Sequence, residues 1–157
     1  MNFNNYCEIT MNHFFGVEEI QLNSLEVKRV YEEKFQLEWM ATKLKINSFI
    51  TRMDKIGYED IVSYSSSCIG HALEIQKGLP RGMHNGIVSF NILVSENICQ
   101  EAIDFVTSRP KKRFAAFEMP IIYDLHKEQI YYYKGTPLWG SMYYKYFREY
   151  IEKNFNS

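Results

Sequence analysis

The chain of 157 residues has only three cysteines, four prolines and eight glycines. Cys7, Cys68 and Cys99 are odd in number and widely spaced, which excludes a disulfide framework. There is no C-x-x-C and no Cys/His zinc spacing. Cys68 and His71 form a C-x-x-H pair, read as neighbours on one helix face rather than metal ligands. Neither sign of charge dominates, with eighteen Lys+Arg against nineteen Asp+Glu and a net charge of -1. That balance excludes a strongly basic nucleic-acid scaffold and an acidic disordered tail. Long apolar runs are missing too. IVSFNILV (87–94) and AAFEMPII (115–122) fall far short of the ~20 residues that span a bilayer. The start, MNFNNYCEITMN, lacks the basic n-region and apolar core of a secretory signal. The expectation is a cytoplasmic protein with no membrane segment, its 157 residues forming a single domain.

The usual catalytic signatures are also absent: no phosphate-cradling or dinucleotide glycine loop, no H-E-x-x-H and no G-x-S-x-G. The four histidines (13, 71, 84, 126) are too scattered to read as a metal set, and no cofactor is expected. Asp124 and Glu128 lack the E-x-K triplet of a metal-dependent nuclease on a following strand.

Aromatic residues are what the chain has in excess: twelve Tyr, eleven Phe and two Trp, or 16%. They crowd the last third, in YYY (131–133) and YYKYF (143–147), where tyrosine suits half-buried positions.

Periodicity sets the expected elements. The N-terminal segment 1–34 is hard to read and is taken to pack on the rest, with a short strand near Tyr6–Met11. Ser24 is placed as the cap of a helix over about 25–34 carrying Val27, Val30 and Tyr31. Residues 35–53 alternate as a strand with a bulge or break near Ala41–Lys43, a helix being the alternative. Tyr58 to Ile75 presents one apolar helical face, with Gly78 as its stop. Gly86–Ser95 is apolar at nearly every position, as a central covered strand requires. Asn97-x-x-Gln100 resembles a capping box for a helix that Pro110 ends. Phe114–Leu125 reads as a strand, with Pro120 implying a bulge or edge, then a turn at His126–Glu128 and a strand at Gln129–Lys134. Thr136 and Pro137 suit the N-cap and first position of an amphipathic C-terminal helix. The order from residue 35, β-α-β-α-β-β-α, gives a single-domain α/β sandwich, bordering on α+β, with a mixed sheet.

Two sheet edges could hold a ligand. GLPRGMHNG offers Arg81, His84 and Asn85, and RPKKR offers Lys111, Lys112 and Arg113. If the two strands that follow are parallel, these loops gather at one edge into a basic rim suited to a small anion or an acidic partner. The opposite edge, where ligands of open parallel sheets usually bind, carries Arg52, Asp54, Ser95, Glu96, Asn97, Asp124 and His126. Helix capping for Ser95 and Asn97, and turn formation for Asp124 and His126, are the favoured readings there, with acid–base work by Glu96 or Asp124 with His126 as the alternative. Glu118 lies in an apolar strand; a covered face requires a partner such as Arg113, whereas Pro120 favours a solvated edge.

These patterns lead to a small binding or interaction protein without catalysis, with Trp139 and Tyr143 as anchors for a protein partner or a second copy. The alternative is an enzyme or binding protein for a small anionic ligand at a sheet edge. Nucleic acid is disfavoured by the charge.

Overall fold

The computed structural model describes residues 1–36, 39, 42–76, 85–113, 116–138 and 140–157. Helix α1 (Phe3–Met11) comes first, where a short strand was expected. The Asn2 carboxamide caps it by accepting the Asn5 N–H at 2.9 Å, and Tyr6, Cys7, Thr10 and Met11 form its buried face.

Strands β1 (Glu18–Leu22) and β2 (Leu25–Gln36) form a hairpin, so the helix expected over 25–34 is a strand. Asn23 and Ser24 both have positive φ (49° and 66°), the backbone of a two-residue hairpin turn. Ser24 is therefore a turn residue and not a cap. Val27 and Val30 share a face on a helix but point to opposite faces of a strand. Here one belongs to each of the two cores.

The strand expected over 35–53 is divided, as the break near Ala41–Lys43 allowed: Phe35 and Gln36 end β2, and β3 (Thr42–Arg52) pairs antiparallel with it from Lys28↔Ile50 to Gln36↔Thr42. Helix α2 (Tyr58–Ile75) follows over the span read, its Gly78 stop lying outside the described residues, and its N-terminus is held by Asp60 accepting the Gly57 N–H at 2.7 Å. Strand β4 (Asn85–Ser95) lies parallel to β3.

Helix α3 (Gln100–Thr107) starts after Cys99 with no side-chain cap, so the capping box placed at Asn97 does not form. Asn97 instead accepts the Ile56 N–H at 2.9 Å beside an Ile56–Ile98 bridge. The short β5 (Lys112–Arg113) and then β6 (Ala116–Asp124) follow, with β6 parallel to β4. Strand β7 (Gln129–Tyr131) is shorter than expected. Helix α4 (Ser141–Phe155) starts after Gly140, not at Thr136, whose hydroxyl accepts from Arg148 in the preceding loop at 2.8 Å.

The result is a seven-stranded mixed sheet in the order β1-β2-β3-β4-β6-β5, with β7 also on β6. Helices α2 and α3 cover one face over Phe49, Ile87, Leu93 and Ile122. The other face packs α1 and α4 over Ile46, Phe90, Met119 and Tyr123. This is the α/β sandwich read from the sequence, with an antiparallel β1–β2 extension that the reading lacked. No helix among the described residues is long and apolar enough to cross a membrane.

Candidate functional site: a basic cleft joined to a buried polar row

Because β4 and β6 are parallel, the segments entering them lie at one end of the sheet, as the basic-rim reading required. Arg81 and His84 fall outside the described residues. Asn85 opens β4 opposite Lys43. On the other side of β4, Lys112 and Arg113 pair with Phe117 and Ala116.

There the structure forms a cleft of about 150 Å³ between α2, α3 and β6. Tyr58 and Phe105 form an aromatic wall, their rings edge to face at 5.7 Å. Val62, Pro110 and Pro120 add apolar surface, and Arg109, Lys111 and Arg113 supply three cationic groups. Glu118 also lines it, and here the solvated-edge expectation is overturned. α2 covers Glu118 to 7% exposure, with Ser65 Oγ donating to its Oε1 at 3.0 Å and Arg113 Nη2 donating to its Oε2 at 3.3 Å. One cation is thus balanced inside the cleft. Arg109 and Lys111, both exposed, have no carboxylate partner among the described residues. Arg113 Nε is buried without a hydrogen-bond acceptor.

Glu118 is one end of a polar row across the α2-covered face. Register places Asn47, Ser89 and Glu118 side by side on β3, β4 and β6. Ser89 Oγ donates to Asn91 Oδ1, and Asn91 Nδ2 donates to Ser65 Oγ at 2.8 Å. At the far end, Arg29 Nη2 donates to Asn47 Oδ1 at 2.7 Å and Arg29 Nη1 to Glu18 at 2.8 Å. The sequence reading missed this row. Its signal was the alternation Ser89-x-Asn91 inside IVSFNILV, two polar residues on one face of a strand otherwise read as apolar throughout.

The opposite edge is committed to turns. Asp124 Oδ1 accepts the N–H groups of His126 and Lys127 at 2.9 and 3.0 Å. Ser95 Oγ accepts the Asn97 N–H at 3.0 Å. Glu96, Asn97 and His126 are exposed, and Arg52 reaches Asp54 at 3.9 Å.

Of the two aromatic anchors, Trp139 lies outside the described residues. Tyr143 is half-buried against Phe117 at 5.0 Å and Trp39 at 5.5 Å, so it rims the core. Among the described residues, no His/Cys/Asp/Glu group has the makings of a metal site. No protein-family model matches this chain, and no curated protein or solved structure does so at a significant level.

Proposed function

We propose that this chain is a binding protein for a small anion bearing one ring-sized apolar group, held in the cleft between α2, α3 and β6. The observation that carries the reading is the pairing of an aromatic wall, Tyr58 and Phe105, with Arg109 and Lys111, cations that lack a carboxylate partner among the described residues. A cleft near 150 Å³ with an aromatic wall has the volume for one benzene-sized ring. Guanidinium and ammonium groups at the mouth take the carboxylate or phosphate. The reading is binding rather than catalysis because both oxygens of Glu118 already accept hydrogen bonds, leaving it poorly placed as a general base. Three free thiols fit a reducing cytosolic setting.

An NMR titration with phenyl phosphate, with inorganic phosphate as control, tests this. Saturable shifts should centre on Phe105, Arg113 and Tyr58, and phenyl phosphate should bind tighter than phosphate. Replacing both Arg109 and Lys111 with Ala should weaken it about tenfold or more. Equal affinity for the two anions, or shifts centred elsewhere, would sink the proposal.

A second reading, a protein partner or homo-oligomer, is favoured by two exposed apolar side chains near the start of α4, Leu138 at 99% and Met142 at 46% exposure. It predicts an assembly in light scattering that Leu138→Asp dissolves; a monomer at high concentration refutes self-association.

A further inference from the structure

At the other end of the polar row, two buried side-chain nitrogens lack acceptors, and a largely buried lysine stands on the same face. Asn47 is fully buried, and its orientation is settled by chemistry. Arg29 Nη2 can only donate, so the Asn47 atom 2.7 Å away must be the oxygen. The amide nitrogen is thereby turned away, and it has no hydrogen-bond partner. The Nε of the same guanidinium is also buried and unpartnered. Lys45, two residues earlier on the same face of β3, is only 7% exposed and shares the charge of Glu33, directly across the ladder, with Lys43.

The carboxylates nearby do not reach the two orphan nitrogens. Glu18, half-exposed, takes Arg29 Nη1. Glu33, across the ladder from Lys45, accepts from Tyr31 Oη at 2.8 Å and pairs with Lys43 at 3.2 Å. Native proteins rarely leave buried donors unpaired, and the exceptions need an explanation. Water could serve a single orphan amide. Two orphan donors beside a largely buried lysine ask for an acceptor that is itself negative.

We infer that Arg29, Lys45 and Asn47 form a second binding site, for the oxygens of a small oxyanion such as a phosphate or a carboxylate. It lies on the α2-covered face at the β2–β3 side, separated from the aromatic cleft by strand β4. Arg29 and Lys45 would supply charge and Asn47 the directional donor. The site does not depend on the proposal for the cleft, since it shares no residue with it.

The test is a titration of the folded protein with inorganic phosphate and, separately, acetate, read at the Asn47 side-chain amide and Arg29 Nε–H in nitrogen-correlated NMR spectra. Both resonances should shift saturably. Lys45→Met keeps the packed stem and removes the charge, and should weaken binding about tenfold or more. The Arg109→Ala, Lys111→Ala double variant should leave these shifts unchanged. Acetate matching phosphate would identify carboxylate as a sufficient ligand; phosphate alone binding would narrow the site to phosphate groups. Asn47 and Arg29 resonances that stay still with both anions overturn the inference, as does an unaltered affinity in folded Lys45→Met. Should Lys45→Met fail to fold, Asn47→Asp serves instead: its carboxylate occupies the donor position, so phosphate should no longer bind.

Discussion

Ser65 of α2 donates its hydroxyl to Glu118 of β6 at 3.0 Å, although 53 residues separate them, and the same oxygen accepts from Asn91 of β4 at 2.8 Å. One helical hydroxyl thus joins the two parallel strands from above and lets a carboxylate sit beneath a helix. The ordinary alternative for a buried Glu is protonation or exposure.

Replacing Ser65 with Ala removes the donor to Glu118 and an acceptor from Asn91 together, at a fully buried position. The expected loss is about 1–3 kcal/mol, read as a lower urea midpoint with unchanged slope. A loss below ~0.5 kcal/mol would mean that water satisfies both groups and that the row is not sealed.

Helix α2 and strands β4 and β6 were legible because each is long and has one period. The β2 region misled because residues spaced three apart are one stripe on a helix but two faces on a strand, and a sheet covered on both sides buries both. Ser24 looked like a cap because Ser serves caps and turns through the same short side chain; positive φ at Asn23 and Ser24 decides for the turn. Pro120 argued for an edge, and β6 does have a stretch there lying between its pairings with β5 and β7. Yet α2 closes over that stretch, a tertiary contact that no local pattern announces. The basic rim was legible as far as Lys111 and Arg113. Its aromatic wall was not, because Tyr58 and Phe105 sit on two different helices and meet only through the fold.

Gly140 caps α4 with φ of +74°, and a Cβ there would stand 3.0 Å from Phe117 Cε1. Gly140→Ala therefore meets both the left-handed backbone penalty of about 1–2 kcal/mol and a ring packed in the core. A thermal melt should show a clear loss of stability, whereas alanine at Gly70, with open space around it, should have at most the small effect of an exposed helical site. Equal behaviour of the two variants would show that α4 does not start where described.

Thiol chemistry should separate the three cysteines. Burial pushes the Cys7 thiol up to about 11 and raises that of Cys68, which is fully enclosed, whereas Cys99 is half-exposed. The thiolate is the reactive form. At neutral pH a disulfide reagent should label Cys99 first. Cys7 and Cys68 should react only as the fold opens, and in Cys99→Ser the labelling rate should follow global unfolding. Fast labelling of Cys68 in the native protein would contradict the packing of α2 on the sheet.

Alkaline stability tests how α4 docks. Its Tyr144 and Tyr146 hydroxyls, and that of Tyr31 on β2, are pushed up to about 12, in each case first by burial. In the unfolded chain such groups ionise near ~10. The folded state holds their protons more tightly, so the resulting stability is fully present below pH ~10 and is lost as pH rises through about 12. Tyrosinate absorbance from these residues should therefore lag behind that of free tyrosine and rise together with loss of helical circular dichroism. Tyr146→Phe removes a hydroxyl for which no hydrogen bond to a described residue is seen and keeps the ring beside Trp39 at 4.9 Å, so stability at neutral pH should change little. Above pH ~10 the variant should outlast the wild type, because the unfolded chain then has one fewer tyrosine to ionise. If tyrosinate from these three residues formed near pH ~10 with the helical signal intact, their hydroxyls would have to reach solvent in the native state. The α4 aromatic stripe would then be a surface rather than the lid of a core, and the anchor role first read for Tyr143 would again have room.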